Sequence, residues 1–363
     1  MRIAILGTRG IPNNYGGFEA FAENLSLGLV KNGHEVFVYN SHNHPYREKI
    51  WNGVNIIHCY DAESRIGTAG QFIYDFNCIL DSRCRKFDVI LQLGYTSSSV
   101  WGWLLPSSPV IITNMDGLEW KRTKYSPKVR RFLKYAERLA VKTSDVLVAD
   151  STGIQKYLKE EFNKESVYIP YGAKLFTEPD ESVLLNFGLE KYNFDMLIAR
   201  LEPENNIETI LDGLTGSDTQ RKFLVIGNNN TTYGRFIKDK YRDQRIIFPG
   251  AIYDNRIIDN LRYFSNLYFH GHSVGGTNPS LLEAMATSCL VCAHNNIFNK
   301  SILADDAIYF NTKDDIKNVL ESYHKQNEFS KIEENKTKIS TTYSWPAIVS
   351  QYENLFLNCK KLK

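Results

Sequence analysis

Two series of short apolar runs, each alternating with amphipathic helical stretches, constrain the fold of this chain more than any other feature. The first series has strand-like runs at Arg2–Leu6, Val36–Tyr39, Val54–Cys59, Val89–Leu93, Val110–Thr113, Val146–Ala149 and Val167–Ile169. Such alternation predicts an α/β fold in which helices cover both faces of a doubly wound parallel sheet. Ligands of these sheets bind beyond the carboxyl ends of the strands.

The second series follows a stretch rich in turn residues, Pro170–Pro179. Its runs lie at Phe194–Ala199, Phe223–Gly227, Ile246–Phe248, Leu267–Phe269, Leu290–Ala293 and Ile308–Phe310. A chain of 363 residues is also long for a single domain, since domains commonly have roughly 100–200 residues. We therefore predict a first domain at residues 1–172, a second at 173–345, and a final helix, 346–363, that packs back on the first.

The composition is typical of a soluble globular protein, with 43% hydrophobic residues and 43 basic residues against 41 acidic ones. This balance gives no reason to expect nucleic-acid binding. No apolar run reaches the roughly 18 residues that a membrane-spanning helix needs. Six scattered cysteines and a start without a signal-peptide pattern predict a reducing, cytoplasmic location.

Two short motifs offer metal ligands, and each has a plainer interpretation. Cys289 and Cys292 have CxxC spacing, but they fall in an apolar run without a second CxxC, which favours buried thiols over a zinc or redox site. His42 and His44 lie in a polar loop, and no acidic residue is spaced to complete a site. We predict no metal site.

A glycine-rich turn in the second series has the pattern of a phosphate-binding site. After the Leu267–Phe269 run come Gly275, Gly276, Thr277 and Asn278, and a helix is predicted to begin at Pro279 because asparagine is a good N-cap and proline suits the first helical position. The free N–H groups and positive end of a helix stabilise an anion. The alternative is a tight structural turn.

Glu283 lies one turn further into this helix, in an otherwise apolar sequence. A carboxylate there is suited to accept hydrogen bonds from sugar hydroxyls, as acidic residues do with ribose in other nucleotide sites. A solvated helical glutamate is the alternative. Arg200, directly after the first run of the second series, is a second candidate, because a guanidinium can bind phosphate oxygens in a bidentate manner.

A long loop, Gly7–Glu19, follows the first run of the chain. Its glycines do not have the GxGxxG spacing of dinucleotide-binding loops, so we do not predict an NAD site. Arg9 places a cation in this loop, and an anionic or sugar ligand is the functional interpretation. A purely structural loop is the alternative.

The segment Asn114–Arg122 follows another run of the first series. Asp116 and Glu119 are candidates for positioning an acceptor hydroxyl, and Trp120 offers an apolar face to a sugar ring. Helix capping is the alternative role for the acids, and capping is the preferred role for Asp150-Ser151.

A concentration of basic residues follows at Lys121–Lys142, where Glu137 is the only acid. Together with the apolar residues between them, these cations predict a basic amphipathic helix. Such a helix can lie on an anionic membrane surface. An ordinary surface helix with a basic solvent face is the alternative.

Four segments together resemble a known family. GTRGIPNNYGGFE (7–19), DGLEWKR (116–122), ARLEPENN (199–206) and GGTNPSLLEAMA (275–286) are similar to motifs of family 4 glycosyltransferases. The most similar branch contains bacterial rhamnosyltransferases of surface-polysaccharide biosynthesis. The resemblance implies a GT-B fold, in which two Rossmann-like domains face each other across a cleft.

The resemblance also implies a retaining, metal-independent transferase without a cofactor, with a dTDP- or UDP-linked sugar as donor. We expect L-rhamnose to be moved from dTDP-rhamnose onto a lipid-linked saccharide acceptor of surface-polysaccharide assembly, with the protein peripheral on the inner face of the cell membrane. The matching motifs imply that the donor diphosphate contacts Arg200 and the turn Gly275–Asn278. They also imply that Glu283 holds the ribose and that Gly16 and Gly17 approach the donor. Acceptor-side residues would be Arg9, Tyr15, Glu19 and Trp120, with Asp116 and Glu119 beside them.

Two positions depart from the broader family. Gly275 stands eight residues before Glu283, where the family commonly has an acid, and Asn205 stands where it has a lysine. The rhamnosyltransferase-like branch shares this pattern, and a deoxy sugar offers fewer hydroxyls to bind. Two alternatives are a GT-B sugar-nucleotide epimerase and a non-catalytic protein that binds nucleotide sugars.

Overall fold

The computed structural model describes residues 1–14, 16–122 and 125–360. The chain divides into two compact units. The first comprises Met1–Lys121, Tyr125–Gly172 and the chain from Trp345 onward, and the second comprises Ala173–Ser344 with Arg122. None of the helices among the described residues is long and apolar enough to cross a membrane.

The first unit contains a sheet with the order β3-β4-β2-β1-β5-β6-β7-β8. Its strands are β1 (Arg2–Leu6), β2 (Glu35–Ser41), β3 (Ile50–Trp51), β4 (Val54–Cys59), β5 (Val89–Leu93), β6 (Val110–Asn114), β7 (Val146–Ala149) and β8 (Val167–Tyr168). All neighbours pair in parallel except β3 and β4. Its helices are α1 (Gly17–Lys31), α2 (Glu63–Ile66), α3 (Gly70–Arg83), α4 (Pro127–Thr143) and α5 (Thr152–Phe162).

The antiparallel edge strand β3 is absent from the sequence prediction. It is joined to β4 by Asn52-Gly53, and both residues have positive φ angles, 45° and 84°. A two-residue Asn-Gly turn is a strong hairpin signal, because this pair tolerates the left-handed conformation that such turns require. The two-residue length of β3 concealed it from an assignment based on apolar runs.

The second unit contains a parallel sheet with the order β11-β10-β9-β12-β13-β14. Its strands are β9 (Phe194–Ile198), β10 (Lys222–Ile226), β11 (Ile246–Gly250), β12 (Tyr268–His270), β13 (Val291–His294) and β14 (Ile308–Phe310). Its helices are α6 (Ile207–Thr215), α7 (Thr232–Lys240), α8 (Asn255–Phe264), α9 (Pro279–Ala286), α10 (Ile297–Leu303), α11 (Lys313–Ser322) and α12 (Phe329–Thr341). The predicted strands of both series are confirmed, with ends shifted by one or two residues.

The last helix, α13 (Trp345–Lys360), belongs to the first unit. Phe21 of α1 lies 5.3 to 5.9 Å from the rings of Tyr171, Trp345 and Tyr352, measured between centroids. Such aromatic clusters bury large apolar areas and stabilise the packing of the helices that carry them. A Cβ at Gly28 would lie 2.4 Å from the side chain of Val349, so α1 and α13 are in close contact.

Candidate functional site

Two loops at the carboxyl edge of the second sheet are joined by hydrogen bonds. One follows β9 and the other follows β12, and these strands are neighbours. The Asn206 side chain donates to the Gly271 carbonyl at 2.8 Å, and the Ser273 N–H donates to the Glu204 carbonyl at 3.1 Å. Arg200 and the turn after β12 therefore belong to one connected edge of the sheet.

Asn205, one of the two positions at which the sequence departs from the pattern that it resembles, has a structural role. It is buried, and its side-chain amide donates to the Arg200 carbonyl at 2.7 Å. Gly271 lies so close to this loop that a Cβ there would be 2.0 Å from the Asn205 carbonyl oxygen. Asn205 thus shapes the loop that carries Arg200, and it presents no cation to a ligand.

The Arg200 side chain is exposed at this edge. Among the described residues it forms no ion pair and no side-chain hydrogen bond. A guanidinium without a partner keeps its N–H donors available for phosphate oxygens.

The predicted strand, β12, and the turn and helix that follow it are confirmed. Asn278 is the N-cap of α9 and its side chain accepts from the Ser280 N–H at 2.9 Å, and Pro279 is the first helical residue. Gly275 has a φ of +135°, and no atom lies within 4 Å of the position of a Cβ. The space beside Gly275 is therefore open.

Glu283 is held by an arginine that the sequence prediction did not include. Arg262 of α8 donates to the Glu283 carboxylate at 2.7 Å and to the Ser280 hydroxyl at 3.1 Å, and it pairs with Asp259 at 3.3 Å. The Arg262 side chain is 3% exposed and that of Glu283 is 52% exposed. Within the sequence, Arg262 is indistinguishable from a surface cation of an amphipathic helix.

Two stacked histidines at the same edge are also absent from the sequence prediction. The rings of His270 and His272 lie 4.3 Å apart at an angle of 17°. Neither His270 ring nitrogen, nor Nδ1 of His272, has a hydrogen-bond partner among the described residues, although all three atoms are buried. Burial, followed by the positive charge of Arg200, lowers the pKa of His272 to about 3. Both rings are therefore neutral at physiological pH, and His272 lies near Arg200.

In the first unit, the long loop after β1 is held by Glu19 of α1. Glu19 is buried and accepts from the Thr8 hydroxyl at 3.2 Å and from the Arg9 N–H at 2.8 Å. Gly16 is the extended N-cap of α1, and Gly17 is its first residue rather than part of the loop. Tyr15 lies outside the described residues.

Arg9 does not stand alone in this loop. Its guanidinium makes two hydrogen bonds to Glu63, at 3.0 and 2.8 Å. Asp75 is buried nearby and accepts from the Ser97 hydroxyl at 2.5 Å. Burial raises the pKa of Asp75 to about 6, while the Ser97 hydrogen bond opposes the shift. Carboxyls with raised pKa values are common at functional sites and also occur in structural networks.

The segment after β6 places its three candidate residues in a short turn. Asp116 has a φ of +44°, and its N–H donates to the Asn114 side chain at 3.0 Å. Glu119 and Trp120 begin a single helical turn, and both are partly buried. The basic helix begins at Pro127 with Ser126 as its cap, not at Lys121. Ser151 caps α5, as predicted.

The residues of the two motifs with metal-ligand spacing are buried in the core or hydrogen-bonded to the backbone. Cys289 and Cys292 are fully buried free thiols. His42 accepts from the Asp61 N–H at 2.8 Å, and His44 lies 3.1 Å from the Pro12 carbonyl. In residues 1–14, 16–122 and 125–360, no three His, Cys, Asp or Glu residues are grouped so that they could hold a metal ion.

A known sequence family matches only a small part of the chain. A family model described as a domain of unknown function, DUF1972, matches residues 108–174. This region includes the candidate acceptor segment, α4 and α5. No curated protein sequence matches the chain.

Comparison with solved structures covers nearly the whole chain. The sucrose-phosphate synthase of Thermosynechococcus elongatus has a TM-score of 0.80 and 14% identity over 100% of both chains. HepE of Anabaena, in complex with UDP and glucose, has a TM-score of 0.75 and 14% identity over 99% of this chain and 100% of its own. The trehalose-phosphate synthase of Burkholderia xenovorans, in complex with glucose-6-phosphate, has a TM-score of 0.71 and 11% identity over 98% and 100%. The chain therefore has the two-sheet α/β GT-B fold of these proteins.

Proposed function

We propose that this protein is a glycosyltransferase (a hexosyltransferase) that moves a sugar from a nucleotide donor to an acceptor hydroxyl. The proposal rests on the exposed Arg200, which has no ion pair among the described residues. It lies on the loop that is hydrogen-bonded to the segment leading into the Gly275–Asn278 turn. The turn ends at the N-terminus of α9, where the positive end of the helix dipole favours an anion. A nucleoside diphosphate is the anion that suits this edge.

In this proposal Arg200, Gly276, Thr277 and Asn278 surround the donor diphosphate, and Glu283 binds the ribose. The bond between the sugar C1 and the phosphate oxygen breaks, and Arg200 and the turn amides stabilise the charge of the departing diphosphate. A new bond forms between C1 and the acceptor oxygen on the same face, and the acceptor proton passes to the departing phosphate. The configuration at C1 is retained.

The donor sugar in this proposal is L-rhamnose carried by dTDP. Its support is the open space beside Gly275, together with the sequence resemblance, which implies that an acid contacting a sugar hydroxyl is commonly present at this position. The ligands of two similar structures, UDP with glucose in one and glucose-6-phosphate in the other, support the broader pairing of a nucleotide-linked donor with a saccharide acceptor. We propose a lipid-linked saccharide of surface-polysaccharide assembly as acceptor, with the protein at the cytoplasmic face of the membrane.

The first unit would bind this acceptor. Asp116 is the residue that we propose to orient the acceptor hydroxyl, with Glu119 beside it. The conformation of Asp116 supports this role, because a positive φ at a residue other than glycine is unfavourable and such strain is concentrated at functional sites. Arg9 and Glu19 contribute through the loop that they hold together.

The decisive experiment combines binding and transfer. Thermal shift with dTDP-, UDP- and GDP-sugars identifies the donor, and transfer to oligosaccharide and lipid-linked acceptors is then measured. We expect Arg200→Ala to lower kcat by about 100-fold or more, with the unfolding temperature unchanged. Arg242→Ala, at an exposed arginine of the same unit, is the matched control. Full transfer activity in Arg200→Ala would contradict the site, and turnover of nucleotide sugar without any acceptor would favour an epimerase.

A further inference from the structure

A cavity of about 280 Å³ lies beside the candidate acceptor segment of the first unit. It is lined by Trp120, Pro127, Arg130, Arg131 and Lys134. We call this cavity the Trp120 pocket. Its volume is close to the lower limit of small-ligand pockets, roughly 300 Å³. Three of its five residues are cations, and none is an acid.

The cations converge because of their spacing on α4. Pro127, Arg130, Arg131 and Lys134 recur at intervals of three and four residues, so they lie on one face of the helix. This face is at the N-terminal end of α4, where the helix dipole is positive, and the first turn contains no acidic residue. Cations at a helix N-terminus are unfavourable. A bound anion would relieve this repulsion.

The hydrogen bonds of the pocket leave donors available. Arg130 donates through Nε to the Trp120 carbonyl at 2.7 Å, which fixes the guanidinium beside the indole while its terminal nitrogens form no ion pair with a described residue. Arg131 is exposed and likewise forms no ion pair among the described residues. Lys134 pairs with Glu161 at 3.0 Å and lies 4.9 Å from the centre of the Trp120 ring.

Glu137 is the acid nearest in sequence to this face, and it lies one helical turn from Lys134. It is buried and accepts a hydrogen bond from Tyr157 at 2.6 Å. Burial raises the pKa of Glu137. The Trp120 side chain and the charge of Lys134 oppose this shift, so Glu137 interacts with two residues of the pocket. The positive charge of the pocket is therefore partly balanced by Glu161 and Glu137, both through Lys134.

We propose that the Trp120 pocket binds a phosphate or diphosphate group carried by the acceptor. This inference rests on the proposed function, since the pocket adjoins the Asp116–Trp120 segment that would orient the acceptor. Two arginines provide the planar donor sets that match phosphate oxygens. The indole of Trp120 offers an apolar face to the sugar ring attached to the phosphate. A soluble sugar phosphate and a lipid-linked diphosphate saccharide share this chemistry.

Calorimetric titration with inorganic pyrophosphate tests the pocket directly. Arg131→Gln removes a lining cation, and Arg138→Gln removes an exposed cation of the same helix that does not line the pocket. Arg200→Ala removes the proposed diphosphate contact of the other unit. We expect one pyrophosphate site to weaken about tenfold in Arg131→Gln and to be unchanged in Arg138→Gln and Arg200→Ala. Equal binding by Arg131→Gln and Arg138→Gln, or loss of all binding in Arg200→Ala, would overturn the proposal.

Glucose-6-phosphate and vesicles distinguish the two sources of the phosphate. Binding of glucose-6-phosphate that requires Arg131 indicates a soluble acceptor. Flotation with phosphatidylglycerol vesicles that Arg131→Gln abolishes and Arg138→Gln preserves indicates a phosphate at a membrane surface. Equal loss of flotation in both variants, with no Arg131-dependent binding of either soluble probe, would show only a general surface attraction and reject the pocket. Failure of the proposed function has a different signature, namely no binding of nucleotide sugars to the wild-type protein.

Discussion

Arg262 and Glu283 form an ion pair of 2.7 Å in which the arginine is buried and the carboxylate is half exposed. The arginine comes from α8 and the carboxylate from α9, so the pair joins two helices of the second unit. A buried arginine must be paired, because an unpaired charge in the interior is strongly unfavourable. Glu283 therefore has a fixed side-chain position before any ligand binds, and the residue that fixes it is Arg262.

We expect Arg262→Met to lower the free energy of unfolding by about 2–4 kcal/mol, because Glu283, Asp259 and Ser280 lose their shared partner. Nucleotide affinity should fall in parallel. Urea denaturation and calorimetry measure the two effects. Glu283→Gln keeps a neutral acceptor for Arg262 and leaves Asp259 as its ion-pair partner. It should therefore weaken nucleotide binding with a loss of stability of about 1–2 kcal/mol, smaller than that of Arg262→Met. Normal nucleotide affinity in both variants would remove Glu283 from the site.

Alanine variants at three glycines distinguish the effect of backbone strain from the effect of displacing the Arg200 loop. A Cβ at Gly275 or at Gly188 would have no neighbouring atom within 4 Å, but the two residues have φ angles of +135° and +59°. Alanine at either position should therefore lower the free energy of unfolding by about 1–3 kcal/mol. Gly271→Ala should also displace the Arg200 loop, because its Cβ would lie 2.0 Å from the Asn205 carbonyl. Transfer assays should show a large loss in Gly271→Ala and none in Gly188→Ala. Equal activities in these two variants would show that the loop contact has no functional role.

His272 should make the second unit sensitive to acid. Its pKa is lowered to about 3 in the folded protein, so between pH about 6.5 and 3 the unfolded chain binds a proton that the native state does not. Stability from this group therefore falls as the pH falls through that window. Between pH 7 and pH 5, the free energy of unfolding of His272→Gln should fall by about 2 kcal/mol less than that of the wild type. Urea denaturation at both pH values measures the difference, with His324→Gln at an exposed position as control.

The same experiment in Arg200→Ala provides an independent test of the proximity of Arg200 and His272. Removal of the guanidinium should raise the pKa of His272, because its positive charge disfavours the imidazolium. The acid sensitivity should then decrease. An unchanged pH dependence in both His272→Gln and Arg200→Ala would show that His272 is not the titrating group.

Asp75 should produce the opposite pH dependence in the first unit. Its pKa rises from 3.8 to about 6 on folding, so between these values the native state binds a proton that the unfolded chain lacks, and stability falls as the pH rises. Asp75→Asn should therefore be more stable than the wild type by about 1–3 kcal/mol at pH 7, with the gain disappearing toward pH 4. Ser97→Ala should shift the window upward, because the Ser97 hydrogen bond lowers the pKa. A gain of equal size at pH 4 and pH 7 would contradict this account.

The strands and the strand–turn–helix at Tyr268–Ala286 were predictable because their signals are local. Apolar runs define buried strands, and Asn278-Pro279 defines a helix start by the capping and φ preferences of two adjacent residues. The edge strand β3 was missed because two residues form no apolar run. The predicted ligands of the turn remain predictions, since an N-terminus of this kind has the same local sequence whether or not an anion binds there.

The sequence by itself determined the α/β alternation, the parallel strands and the positions of the polar loops that follow them, because periodicity and capping depend on neighbouring residues. Only the tertiary structure decided which side chains are buried and paired across sequence separations that no local pattern reports. Arg262 contacts Glu283 from another helix, and Asn205 turns inward to the Arg200 carbonyl. His270 and His272 stack, and three of their buried ring nitrogens have no hydrogen-bond partner in the described part of the chain. These roles follow from packing and from the free energy of burying charge, which become defined when the helices pack on the sheet.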